Sequence, residues 1–217
     1  MDLSQFVQSV AIYALPVLFA ITLHEAAHGY VARHFGDLTA YAQGRISLNP
    51  ARHIDFVGTI VIPIVLLVLS GGRFLFGWAK PVPVNYSALR RPKQHMAWVA
   101  AAGPGANLAM ALGWALLLKL AIELPANFFT APMAEMAKAG IVVNLVFMFL
   151  NLLPILPLDG GRILTSLLPD RMAWQYAKLE PWGLPVLLLL LVTNVLDGIL
   201  GPLVSHSVAL LRSAVFL

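Results

Sequence analysis

His24 and His28 stand four residues apart with Glu25 beside the first, inside a run that is otherwise apolar from about Phe6 to Phe35. On a helix this spacing turns both imidazoles to one face, so two nitrogen ligands can meet one divalent ion while the adjacent carboxylate flanks it, the spacing of a zinc hydrolase. The alternative is a pair of satisfied helix histidines with an incidental acid next to them. Cost argues against it. A charge at the centre of an apolar span is unfavourable by about 2.5–3.5 kcal/mol, and three polar groups at one level need a partner that a metal supplies most simply.

The elements that carry this cluster belong in a membrane. The chain has 217 residues, of which 59% are hydrophobic and 11% charged, with a mean hydropathy of +0.82, a composition that fits a polytopic membrane protein and no soluble domain. A net charge of +4 and a pI near 9.6 do not indicate nucleic acid, because the basic residues are scattered between apolar runs and form no stripe. They read as topology signals. The absence of cysteine excludes disulfides, thiolate catalysis and cysteine ligation. No Lys or Arg precedes the first apolar run, so a removable signal peptide is not expected.

The first run is long enough to cross a bilayer of about 30 Å, and it places the histidines toward its far end. Arg33 and His34 follow at once, which puts the motif end on the cytoplasmic side. From Ala40 to Asn49 the chain is short and mixed, as in an interfacial strand or loop. Phe56 to Leu69 is apolar but short and contains Pro63, so it is expected to be re-entrant. In Trp78 to Asn85, Pro81 and Pro83 would leave Lys80, Val82 and Val84 with their N–H groups on one edge of a strand that could still pair; a polyproline connector fits equally.

A clear span runs from about Ala97 to Ile122, and its small residues Gly105, Ala109 and Gly113 are expected to face a neighbouring helix. Asn107 within it reads as an interhelical hydrogen bond without chemistry. The loop from Glu123 to Lys138 has one Lys or Arg, which suits the outside. The span from about Ala139 is broken by Pro154, Pro157 and Gly160-Gly161, and such a break is tolerated only against protein or a water-filled cavity. Asp159 sits at that break. For it to meet His24 and His28, the chain must cross an even number of times between them; the spans at Ala97 and Ala139 supply two crossings, and Phe56 to Leu69 should not add a third. Leu184 to Leu196 and Leu203 to Leu217 carry no evident chemistry.

The predicted fold is therefore an all-α polytopic membrane protein, a bundle of about five to six membrane-embedded helices with a small re-entrant or interfacial β element after the first. Residues 1–217 form one domain, with a core over about 6–168 and accessory helices over about 183–217.

His24-Glu25-Ala26-Ala27-His28, taken with Asn151-Leu-Leu-Pro154-Ile-Leu-Pro-Leu158-Asp159-Gly160, resembles the site-2 protease family of intramembrane metalloproteases. Gly103-Pro104 to Asn107 and the loop around Gly77 to Asn85 extend the likeness over most of the chain from Leu23 to Arg162. The resemblance implies that His24, His28 and Asp159 bind one catalytic zinc ion, that Glu25 is the general base, and that Asn151 assists at the reacting carbonyl. It also implies membrane-spanning protein substrates, held by a strand-like element in which Lys80, Val82 and Val84 would take part. With no room for a PDZ or CBS domain, the chain looks like a minimal form from a bacterial or archaeal cytoplasmic membrane. A homo-oligomer or a regulatory membrane partner is compatible with it.

Three such ligands leave a fourth zinc position for water, as in catalytic sites. Zinc lowers the pKa of its water toward about 7 and polarises a carbonyl; Glu25 can take the proton. Asn151 has two readings of equal weight, oxyanion donor or tie between broken helix ends. A transporter or metal-binding membrane protein would use the same polar residues at a broken helix, but it gives Glu25 no particular task. An inactive scaffold ranks last, because every motif residue is present. His34, His53, His95 and His206 have no partner at ligand spacing and read as interfacial residues.

Overall fold

The computed structural model describes residues 3–62, 64–65 and 77–216. Eight α-helices are described: α1 Leu3–His34, the single turn α2 Thr39–Ala42, α3 Pro92–Glu123, α4 Thr130–Asn151, α5 Asp159–Leu167, α6 Asp170–Ala177, α7 Glu180–Val192 and α8 Val195–Phe216. Four segments are long and apolar enough to span a membrane, Val10–His34, Pro92–Glu123, Thr130–Asn151 and Val195–Val215, while α7 is apolar but shorter. This is a multi-pass helical membrane protein. No strand occurs among the described residues. Phe56–Val61 forms a π-helical turn; much of the expected re-entrant stretch, residue 63 and residues 66–69, lies outside the described residues.

The helix ends follow from local chemistry. Gly36 stops the chain after α1 with φ of +108°, a left-handed conformation that glycine adopts without steric cost. Buried Asp37 then accepts from the Thr39 N–H (2.9 Å) and the Asn85 N–H (2.7 Å), tying the exit of α1 to the 77–85 segment. Pro92 opens α3 at its first turn, where the missing N–H costs nothing. Asn127 caps α4 by accepting from Phe129 N (2.8 Å) and Thr130 N (3.2 Å).

Helix α3 packs against both α1 and α4, which also touch each other, and α5 lies against α3. Its buried face is Gly103, Asn107, Ala111, Ala115 and Leu118, whereas Gly105, Ala109 and Gly113 are exposed. The expected four-residue spacing of small side chains is thus present, two residues out of register with the stripe named from the sequence. Farther along, Ala111, Ala115 and Leu118 meet Ala137, Ile141, Leu145 and Met148 of α4, with Val204, Val208 and Leu211 of α8 packed on them. Close backbone approach of this kind replaces the hydrophobic drive that lipid removes.

Candidate metal centre

The crossing of α1, α3 and α5 brings His24, His28 and Asp159 together. His24 Nε2 and His28 Nε2 each lie 3.3 Å from Asp159 Oδ2 and 3.1 Å from one another. All three are inward-facing and form the described group of His, Asp and Glu side chains able to hold one ion. Tetrahedral zinc with ligand bonds of about 2.0–2.1 Å needs ligand atoms about 3.3 Å apart, so the spacing fits.

The proton inventory strengthens the fit. His28 Nδ1 is 2.7 Å from the Val99 carbonyl oxygen, which can only accept, so Nδ1 carries the proton and Nε2 of the neutral ring is bare. His24 Nδ1 likewise faces Asn107 Oδ1 at 2.6 Å. Two bare Nε2 atoms then converge on Asp159 Oδ2, itself buried without a hydrogen-bond partner. Three lone pairs at this range repel unless a cation sits among them.

Backbone packing makes room for these rings. A Cβ on Gly103 would stand 2.5 Å from His24 Cε1 and 2.5 Å from His28 Nε2, so α3 can pass the two imidazoles only as glycine there. At the other wall, Gly160 and Gly161 lie against the backbone of Leu152 to Leu156, which lets the broken segment after α4 fold back and present Asp159 in the first turn of α5.

Glu25 is the acid beside this cluster, and its Oε2 accepts from the Val82 N–H at 2.7 Å. The 77–85 segment is therefore held alongside α1 without a strand ladder: Lys80 N–H donates to His53 O (2.9 Å), and Arg45 donates to the carbonyls of Lys80 and Pro81. Val82 is buried, Lys80 is exposed, and Val84 packs with Ala32, Leu89 and Val99. Asn151 ends α4 with Nδ2 donating to Phe147 O at 3.0 Å, a bond within its own helix. It makes no hydrogen bond to His24, His28 or Asp159 among the described residues. His53, read from the sequence as interfacial, is buried and bonds Ser47 O at 2.8 Å.

Sequence reasoning missed Asn144 altogether and gave Asn107 no tie to the site. The available signal was two amide side chains inside apolar spans, 37 residues apart. At the rim, Arg162 pairs with Glu180 (3.1 Å) and stands 5.2 Å from the Tyr86 ring centre, and burial pushes the Tyr86 phenol up.

Residues 120–193 match the model of peptidase family M50. The chain is 38% identical over 209 residues, 93% of its length and 91% of the relative's, to YwhC of Bacillus subtilis (strain 168), which is named as a zinc metalloprotease. Rip2 of Mycolicibacterium smegmatis (29% over 184 residues) and Rip2 of Mycobacterium tuberculosis strain H37Rv (30% over 185 residues), also named as zinc metalloproteases, match 83% of this chain and 66% of their own length. No solved structure matches it. An identity of 38% sustained over nine-tenths of both chains, beside the M50 match that covers Asn151 and Asp159, shows that the chain belongs to peptidase family M50, the site-2 protease family of zinc metalloproteases.

Proposed function

We propose that this chain is an intramembrane zinc endopeptidase that hydrolyses peptide bonds in or near the membrane-spanning segments of other membrane proteins, as in regulated intramembrane proteolysis, with its site toward the cytoplasmic side. The observation that supports it most is the convergence of His24 Nε2, His28 Nε2 and Asp159 Oδ2 beside Glu25 at the end of an apolar span. His24, His28 and Asp159 hold the zinc. When bound there, the ion supplies Lewis acidity, lowering the pKa of water toward about 7 and polarising a carbonyl.

The chain's own groups do the rest. Glu25 Oε2 takes the proton from the attacking water. A helical substrate hides its carbonyls in intrahelical bonds, so it must unwind locally, and a protein donor must replace what it loses. The Val82 N–H is the nearest such donor to the base, and a substrate backbone that captured it would free Glu25 Oε2, which accepts it now. Lys80 and Val84 flank that position on the same segment. Asn151 would have to turn from Phe147 O to donate to the oxyanion, a contact worth about 2.7–4 kcal/mol in a comparable site. A transporter would leave Glu25 without a task, and nothing in the geometry favours it.

Cleavage of a tagged single-span membrane reporter tests this reading, comparing the wild type with Glu25→Gln at matched expression and zinc content. Loss of cleavage with zinc retained is expected. Equal cleavage by both proteins would remove Glu25 as the base.

A further inference from the structure

Two buried amides lie behind the metal centre, and their bonding can run in one direction only. Asn107 of α3 and Asn144 of α4 are both fully buried. Asn144 Nδ2 faces Gly140 O at 2.8 Å, one turn back in its own helix. A carbonyl oxygen cannot donate, so the Asn144 atom facing it is nitrogen, and Oδ1 is turned toward α3. The Asn107 atom 3.0 Å from that oxygen must then be Nδ2, which also approaches Ala20 O of α1 at 3.3 Å. Asn107 Oδ1 is left for His24 Nδ1 at 2.6 Å.

We infer that Asn144 is a positioning residue of the metal centre: through Asn107 it holds His24 in the Nδ1–H form and leaves Nε2 as a bare lone pair beside Asp159. Two backbone carbonyls, Gly140 O and Ala20 O, fix the direction of the chain, and His24 is its last member. A plain interhelical hydrogen bond would need only the two asparagines. Here the relay ends on a ring whose tautomer decides whether it can bind a cation at all. Ala20 O alone would hold Asn107 through the longer of its two Nδ2 contacts, so loss of Asn144 weakens the arrangement, whereas loss of Asn107 removes it.

The inference rests on the reading of His24 as a zinc ligand, and the experiment separates the two. Full-length protein in detergent is stripped of metal and titrated with Zn2+ against a chelating dye and with Co2+ by visible absorption, for the wild type, His24→Gln, Asn107→Leu and Asn144→Leu. Zinc affinity is expected to fall about 10-fold in Asn144→Leu and toward 100-fold in Asn107→Leu, within the range typical of partners that orient metal ligands, with an altered cobalt spectrum in both. A structural role alone would lower the melting temperature of the metal-free protein and leave zinc affinity and the cobalt bands of Asn144→Leu unchanged; that result overturns the inference. Unchanged zinc affinity in His24→Gln overturns the ligand reading and the inference with it. If Asn144→Leu does not fold, long-range 1H–15N spectra of the 15N-histidine-labelled wild type decide instead, with the His24 signal assigned by its loss in His24→Gln. The Nδ1–H form is expected, and the Nε2–H form overturns the inference.

Discussion

Gly103 offers a direct test of how tightly the imidazoles are held. In an ordinary helix a Gly to Ala change gains up to about 1 kcal/mol, while forcing a methyl group into a filled site costs about 1–3 kcal/mol. Here the new Cβ would stand 2.5 Å from ring atoms of both histidines, and neither ring can retreat without breaking its bond to Asn107 or to Val99 O. The clash should win. Gly103→Ala is expected to lower zinc affinity roughly 10-fold or more, the scale of disrupted ligand orientation, as read by competition with a chelating dye. An alanine variant with wild-type affinity would mean that the rings are free to shift. Among single residues, His24, Glu25 and His28 were legible because a four-residue spacing fixes a helix face whatever the tertiary structure. Asp159 needed the resemblance and the count of crossings. Asn107 was legible only as a buried amide, since its acceptor is set by a helix 37 residues away.

The 77–85 segment shows what sequence patterning leaves open at the scale of an element. Alternating prolines mark which N–H groups survive, but not what they meet. In the structure Val82 N–H meets the Glu25 carboxylate and Lys80 N–H meets His53 O, so both donors are satisfied without a partner strand. Likewise the small-residue face of α3 was legible as a spacing and missed in register, because glycine and alanine occur in both registers and only Asn107 and the histidine rings packed on Gly103 distinguish them. Val82→Pro separates two roles for the Val82 N–H. It removes the donor while keeping the buried side chain apolar. If the N–H serves substrate, cleavage of the membrane reporter should fall about 10-fold or more, the order of one lost positioning contact, with zinc content unchanged. A rise in cleavage would show that the N–H only restrains Glu25. Val84 is the poorer test, because it packs with Ala32, Leu89 and Val99, and a charge there would unfold the local core.

At the scale of the whole molecule, the meeting of α1 and α5 constrains topology. α3 and α4 are both long enough to span, and together they return the chain to the side it left, so the 77–91 segment and the α5–α6 region must share the face on which α1 ends. Arg33, Arg90, Arg91, Lys93, Arg162, Arg171 and Lys178 all lie on that face, against Lys119, Lys138 and Arg212 toward the other. Positively charged residues concentrate on the cytoplasmic side of short loops, so the proposed orientation puts that face in the cytoplasm and the turn around Ala126 outside. The chain contains no cysteine, which makes the assignment measurable with single substitutions. Ala126, Ser87 and Arg171 are all exposed. In intact cells Ala126→Cys should react with a membrane-impermeant maleimide, while Ser87→Cys and Arg171→Cys should react only after permeabilisation. The reverse pattern would place the metal centre toward the outside. Labelling of Ser87→Cys and Arg171→Cys from opposite sides would break the even count of crossings, and with it the geometry that brings Asp159 to the histidines.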